Sequence, residues 1–252
     1  MEYIRFGSGK KTLVFLPGLG DGLRSVKGTA LFMALLYHKY AKDYTAYMFS
    51  RKRDILPGSS TRDMAADQKK AMDLLGIEEA DIIGVSMGGM IAQHLAADFP
   101  ESVDKLVLVV TTAGQNPQLV ASVDEWLRFA RADNHRGLMD SNLKLIYSEK
   151  YYRNNKWLVP ILGTITKPKS YERFFRQAEA CYSHDSRAQL PLIKAATLII
   201  GGKNDVVLGA DASREIHAGI ENSALRIYSD GYHGLYEEEK DFNEYVLKFL
   251  KS

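Results

Sequence analysis

The chain of 252 residues contains a single cysteine, Cys181. One thiol excludes an internal disulfide, so the core alone must hold the fold, and a reducing compartment is the simpler setting. Long hydrophobic runs are missing as well. No stretch of 18 apolar residues occurs, and residues 1–20 show no charged segment leading into an apolar one. A cytoplasmic protein without a membrane partner is therefore expected. Charge of one sign is also lacking: 33 Lys and Arg against 31 Asp and Glu leave a formal net charge of +2. No basic run exceeds three residues, which removes the footprint of a nucleic-acid partner. Metal chemistry has little to build on, since neither His-Glu-x-x-His nor paired Cys/His spacing is present.

What is present is a regular alternation. Short apolar, β-branched runs alternate with longer helical patterns, which predicts a mostly parallel sheet with helices on both faces. Strands are expected at 2–6, 12–16, 45–49, 81–85, 105–110, 197–200 and 225–228. The first two should form a hairpin through Gly7-Ser8-Gly9-Lys10. Helices are expected at 31–40, 62–75, 88–99 and 242–250, the second with Met64, Ala65, Met72 and Leu75 as apolar positions and Gly76 as its stop. Between 114 and 190 the rhythm changes to helices rich in aromatics, including both tryptophans. A segment that long between two buried strands is not a plain loop. It is expected to be a helical cap on a core made of residues 1–113 and 191–252.

The most informative stretch is Gly84-Val85-Ser86-Met87-Gly88-Gly89. A serine between a buried strand and a helix, with glycine at i−2 and i+2, has the form of a nucleophile elbow. The turn would strain Ser86, and a side chain at either glycine would collide with a neighbouring strand or helix. A serine hydroxyl needs a base and a group to orient that base. Of six histidines, His38 and His94 lie within helical patterns, and His135, His184 and His217 lie in or near them. His233 alone sits in a glycine-marked turn directly after the last strand, where open α/β sheets bind ligands. Asp205 follows Gly201-Gly202 at another strand end. It could serve only an Asx turn, but the order serine, acid, histidine favours it. The rival position after strand 105–110 reads Thr111-Thr112-Ala113, without a carboxylate. The loop Leu16-Pro17-Gly18-Leu19-Gly20-Asp21-Gly22 frees backbone N–H groups, so the amides of Leu19 and Met87 are the expected donors to an oxyanion. A dinucleotide fingerprint fails there because Leu23 stands where the third glycine belongs.

Taken in order, these motifs resemble the α/β-hydrolase superfamily over essentially the whole chain. Within it the sequence is similar to capped esterases, enol-lactonases, meta-cleavage C–C hydrolases and cofactor-free haloperoxidase-type enzymes. The resemblance rests on Gly84–Gly89, Met64-Ala65-Ala66-Asp67 with Leu74-Leu75-Gly76-Ile77, Phe99-Pro100-Glu101 to Val110, Asp205 and His233. By position it implies Ser86 as nucleophile, His233 as general base and acid, and Asp205 as the orienting acid. Two departures stand out. Pro17-Gly18 replaces the usual His-Gly, and Ser50-Arg51-Lys52-Arg53-Asp54 stands where relatives carry Asp-x-Arg-Gly-x-Gly-x-Ser. A serine at the elbow speaks against dehalogenase and epoxide hydrolase chemistry, which use aspartate there.

The expectation is a carboxylesterase-like serine hydrolase acting on an ester, thioester or lactone of a small organic acid, with no cofactor. Cleavage of a C–C bond, perhydrolase chemistry and a non-catalytic ligand-binding role are the alternatives. The substrate pocket is expected under the cap, lined by Gly18, Trp126, Phe129, Trp157 and Phe174, with Phe175 a further aromatic there. The only expected partner is a small-molecule substrate, for a monomer or homodimer.

Overall fold

The computed structural model describes residues 1–252. Seven strands form one sheet: β1 (Tyr3–Phe6), β2 (Lys11–Leu16), β3 (Tyr44–Phe49), β4 (Ala80–Val85), β5 (Val103–Val109), β6 (Ala196–Gly202) and β7 (Ser223–Tyr228). Their order is β1-β3-β2-β4-β5-β6-β7, and every pairing is parallel except that of β1 with β3. β4, β5 and β6 are almost continuously buried, as apolar runs between two helical layers should be. The helices are α1 (Ala30–Leu36), α2 (His38–Ala41), α3 (Thr61–Leu74), α4 (Met87–Asp98), α5 (Pro117–Arg131), α6 (His135–Ile146), α7 (Glu149–Asn155), α8 (Val159–Ile165), α9 (Glu172–Tyr182), α10 (Ala212–Gly219), α11 (Leu235–Glu238) and α12 (Phe242–Leu250). No helix is long and apolar enough to cross a membrane.

Two expectations are corrected. β1 and β2 do not form a hairpin: β3 lies between them, antiparallel to β1 and parallel to β2. Four linking residues can span the roughly 10 Å of two strand spacings. The link instead wraps the start of β3, with Ser8 N–H donating to Ala41 O at 3.2 Å. A Cβ on Gly9 would lie 1.9 Å from the Asp43 carbonyl carbon. The helix expected at 31–40 breaks at Tyr37 (φ −105°, ψ 27°), which separates α1 from α2. Its residues Leu31, Phe32 and Leu35 face solvent.

α3 begins on a capping box in which Ser60 and Asp63 exchange side-chain and backbone hydrogen bonds, and Gly76 beyond it takes φ +68°. Met64, Ala65 and Met72 are buried against the sheet, while Leu75 lies past the last turn and is exposed. Between β5 and β6 the chain forms α5 to α9 and no strand.

Candidate active site

The site is assembled at the C-terminal ends of β2, β4, β6 and β7. Ser86 stands between β4 and α4 with φ 53° and ψ −121°, a left-handed φ that a residue with a side chain holds only when its surroundings over-determine it. Those surroundings are visible. Ser86 N–H donates to Val109 O at 2.9 Å, and Thr111 Oγ1 donates to Ser86 O at 2.8 Å. The two flanking glycines let α4 approach the sheet. A Cβ on Gly84 would lie 2.7 Å from Gly88 O, and one on Gly88 would lie 1.9 Å from Leu16 O.

Two loops bring the other side chains in. After β6, Asn204 N–H donates to Gly231 O at 2.9 Å, which zips that loop to the one after β7. Gly202 permits this closeness, since its Cβ would fall 2.3 Å from Gly231 O. The result is a hydrogen-bonded chain across three segments. His233 Nδ1 lies 2.9 Å from Asp205 Oδ2, and His233 Nε2 lies 3.0 Å from Ser86 Oγ. Asp205 Oδ1 accepts from the N–H groups of Val207 and Leu208 at 2.9 and 3.0 Å. With its carboxylate an acceptor only, the proton of neutral His233 is assigned to Nδ1. Nε2 is then free to accept from the Ser86 hydroxyl. The imidazole and carboxylate are both buried, so their contact is little diluted by water.

Beside Ser86 runs the loop after β2. A Cβ on Gly18 would come within 3.4 Å of Ser86 Cβ and 3.9 Å of its Oγ, so this loop runs within van der Waals reach of the serine. Leu19 opens a short 3-10 turn, Leu19–Gly22, and Met87 opens α4, so their N–H groups belong to the set without partners inside their own helices. Such an arrangement can deprotonate a hydroxyl and hold developing negative charge on an adjacent oxygen.

A cavity of ≈ 500 Å³ opens over Ser86 and His233 and is lined mainly by apolar groups. Of the residues expected to line the substrate pocket, Gly18, Trp126 and Phe174 stand on its wall, and Leu19 stands there too. Phe129 and Trp157 do not line it, nor does Phe175. Phe129 turns toward the start of α6, where Gly137 leaves room for its ring and the Arg128 guanidinium stacks 4.2 Å from its centroid. Trp157 sits on a 3-10 turn and is 65% exposed, beside Asn134 and Arg136 on the outer surface. Helical spacing shows that an aromatic is on a face but not which neighbour that face meets. The sequence reading missed Tyr147, Tyr151 and Tyr236 on the cavity wall, where the Tyr147 and Tyr151 rings stack at 4.3 Å. The only available signal was the density of tyrosines at 147–152. Arg24 is the only lysine or arginine on that wall, and it makes no ion pair.

The other five histidines lie outside this arrangement: His38 Nδ1 pairs with Leu35 O, and buried His94 meets the His184 ring edge to face with its own Nδ1 left without a partner. His135 is held between Thr166 and Tyr171, His184 between Thr61 and Thr112, and His217 against Ser223.

A family model described as alpha/beta hydrolase fold matches residues 11–240. The chain is 28% identical over 264 residues to the 2-hydroxy-6-oxononadienedioate/2-hydroxy-6-oxononatrienedioate hydrolase 2 of Pseudomonas putida, covering 100% of this chain and 91% of that protein. Among solved structures it is similar to MGS-M2, an alpha/beta hydrolase enzyme from a Medee basin deep-sea metagenome library. There the TM-score is 0.84 at 24% identity, over 100% of this chain and 94% of that one. It is also similar to the enol-lactonase of Burkholderia xenovorans LB400, with TM-score 0.82 at 20% identity over 100% and 96%. At such identities the structural likeness speaks for the fold.

Proposed function

This chain belongs to the alpha/beta hydrolase fold family, and from that premise we propose that it is a serine hydrolase of an ester, thioester or lactone bond. The observation that carries the proposal is the continuous chain from Asp205 through His233 to Ser86, at the floor of an apolar cavity. Ser86 Oγ attacks the substrate carbonyl carbon while its proton passes to His233 Nε2. The carbonyl oxygen gains the electron pair and is held by the N–H groups of Leu19 and Met87. Asp205 keeps the imidazole in the required tautomer and stabilises its cation. The tetrahedral adduct collapses, His233 hands the proton to the departing oxygen or sulfur, and an acyl-enzyme remains. Water enters, gives its proton to His233, and releases the acid with Ser86 restored.

Helices α5 to α9 act as a cap, with Trp126 and Phe174 contacting the acyl or alcohol group. The protein works in the cytoplasm on a small molecule, as a monomer or homodimer. One alternative bond has specific support. Cleavage of a C–C bond in a vinylogous diketone, with the same triad, is favoured by the full-length relative named as a hydrolase of a hydroxy-oxo-dienedioate. The unpaired Arg24 on the cavity wall suits a substrate bearing a carboxylate.

The test is a fluorophosphonate probe with wild type and Ser86→Ala, followed by p-nitrophenyl esters of increasing acyl length, lactones and a meta-cleavage diketone. Labelling of wild type that vanishes in the variant is expected, as is turnover of an ester or lactone. A wild type that neither labels nor turns over any of them would refute the proposal. Rapid turnover of the diketone alone would assign the C–C reading.

A further inference from the structure

Directly behind Gly18 and Leu19 lies a buried charge cluster to which the triad chemistry assigns no role. Arg51, just past the end of β3, is 2% exposed. Its guanidinium donates to Pro17 O and Gly18 O, each at 2.7 Å, and points an N–H at Met87 Sδ at 3.3 Å. Asp21 in the 3-10 turn is the counter-ion, 3.6 Å from Arg51 Nε, and it accepts the Arg51 backbone N–H at 3.1 Å. Arg173 on α9 binds the carboxylate and carbonyl of Asp21 and also donates to Arg51 O at 3.0 Å. Gln177, one turn further along α9, donates to Asp21 Oδ2 at 3.3 Å. Two guanidinium groups against one carboxylate make a costly arrangement in a protein interior. Replacing such groups by apolar ones is often neutral or stabilising. Burial lowers the Arg51 pKa, with Asp21 opposing.

The geometry explains what that cost supports. The carbonyl of Gly18 and the N–H of Leu19 belong to one peptide group, which is planar and trans, so the two bonds point in opposite directions. A guanidinium holding Gly18 O therefore fixes Leu19 N–H in the opposite direction, away from the buried charges. A positive charge on that oxygen also polarises the peptide and strengthens its N–H as a donor. The same guanidinium touches the side chain of Met87, whose N–H is the second expected donor. From the other side the loop is backed by α9, since a Cβ on Gly22 would lie 2.8 Å from Phe174 Cα. Pro17, standing where relatives usually have histidine, contributes its carbonyl to the same guanidinium.

We infer that Arg51 is a positioning residue for the oxyanion donors, held in place by Asp21 and by Arg173 of α9, so that the helical segment and the reaction centre are mechanically linked. This inference rests on the serine-hydrolase reading above. It predicts a defect confined to stabilisation of the tetrahedral state. Arg51→Lys keeps the charge but cannot span both carbonyls, so its kcat for p-nitrophenyl acetate should fall ~10²-fold, the scale of losing one oxyanion donor. KM should stay within about threefold, because ground-state binding uses the cavity wall. Phenylboronic acid, which forms a tetrahedral adduct on Ser86, should bind more weakly by a similar factor. The pH profile of kcat/KM should not move, because Asp205 and His233 are untouched. Arg173→Gln leaves both Arg51–carbonyl bonds in place and should lose on the order of tenfold in kcat by the same measure.

If Arg51→Lys melts below the assay temperature, Arg173→Gln carries the test alone. A folded Arg51→Lys or Arg173→Gln with wild-type kcat and boronate affinity overturns the inference. So does a loss that appears equally in KM or shifts the pH profile, since either would mean a general disturbance of the site. A wild type inert toward esters and unlabelled by fluorophosphonate would overturn the serine-hydrolase reading itself, an outcome distinct from variants that match an active parent.

Discussion

Gly88→Ala is the substitution whose consequences can be worked out most fully. An added methyl at residue 88 would stand 1.9 Å from Leu16 O, 2.5 Å from Leu16 C and 2.8 Å from Pro17 O. All three are backbone atoms of β2 and its following loop, so no rotamer change relieves the contact. Restoring ordinary van der Waals separation requires α4 to back away from β2 by on the order of 1.5 Å. Alanine gains up to ~1 kcal/mol of helix propensity over glycine. Overpacking of this kind costs ~1–3 kcal/mol, and a clash with fixed backbone belongs at the upper end. Overpacking wins, leaving a net destabilisation of about 2 kcal/mol. For a domain of this size that is a fall in Tm of roughly 4–8 °C.

The functional loss should be larger than the stability loss suggests. The same shift carries Ser86 and the Met87 N–H away from Gly18 and Leu19, and a misplacement of ~1 Å can cost 10²-fold in rate. Gly20→Ala is the matching control for stability, because Gly20 has open space around its Cβ position and sits in the same loop. Its Tm should stay within what a free surface change of about ±0.5 kcal/mol permits. Thermal melts of both variants and kcat/KM of Gly88→Ala on the best ester of the panel make the comparison. A Gly88→Ala protein that melts with Gly20→Ala and retains wild-type turnover would refute the steric account of the elbow.

Asp205→Asn should leave the fold intact and reduce kcat by ~10³–10⁴. Its oxygen must keep accepting from Val207 and Leu208, so its NH₂ faces His233, and the imidazole proton is forced onto Nε2, where it blocks acceptance from Ser86. Wild-type kinetics in this variant would contradict the tautomer assignment. Burial, with the neighbouring His94, pulls His184 down to about 3 from an ordinary 6.5. Below pH 6.5 the unfolded chain therefore takes up a proton that the folded chain refuses. This contribution to stability is present above pH 6.5 and erodes toward pH 3, by at most ~1.4 kcal/mol per pH unit. Asp81, raised to about 6 by burial, works in the opposite sense: its contribution is present at low pH and fades as pH rises from about 4 to 6. In His184→Gln only the histidine part is removed, so the Tm gap to wild type should narrow from pH 7.5 to pH 5. An unchanged gap would count against it. The Cys181 thiol is buried and pushed up to about 12, so native protein at pH 8 should ignore Ellman's reagent and react only in guanidinium. Prompt reaction of the native chain would show that the core is open there.

Much of the fold and the site could be read directly. The apolar runs mark the central strands β4, β5 and β6 because strands buried on both faces need continuous apolar residues, a local property, whereas the edge strands β1 and β7 are only partly buried and show shorter or alternating apolar patterns. Ser86 was legible because its turn demands glycine at 84 and 88. His233 and Asp205 were legible because each follows a strand whose end must lie at one edge of a parallel sheet. The pairing of β3 between β1 and β2 was not legible. Nothing in residues 3–16 records which strand will lie beside them, and a four-residue link suits both arrangements. The cavity aromatics were equally hidden, since a helical period puts Trp126 and Phe129 on adjacent positions while only the packing of α5 on α6 sends one to the cavity and the other away. Arg51 lay within a segment that departs from the relatives' pattern, and its charge gave no hint of burial. Only the folded chain, closing β2, β3 and α9 around it, turned that cation toward the carbonyls of Pro17 and Gly18. Local pattern thus determined the elements and their order, whereas contacts between distant segments, which no short stretch encodes, decided what each side chain faces.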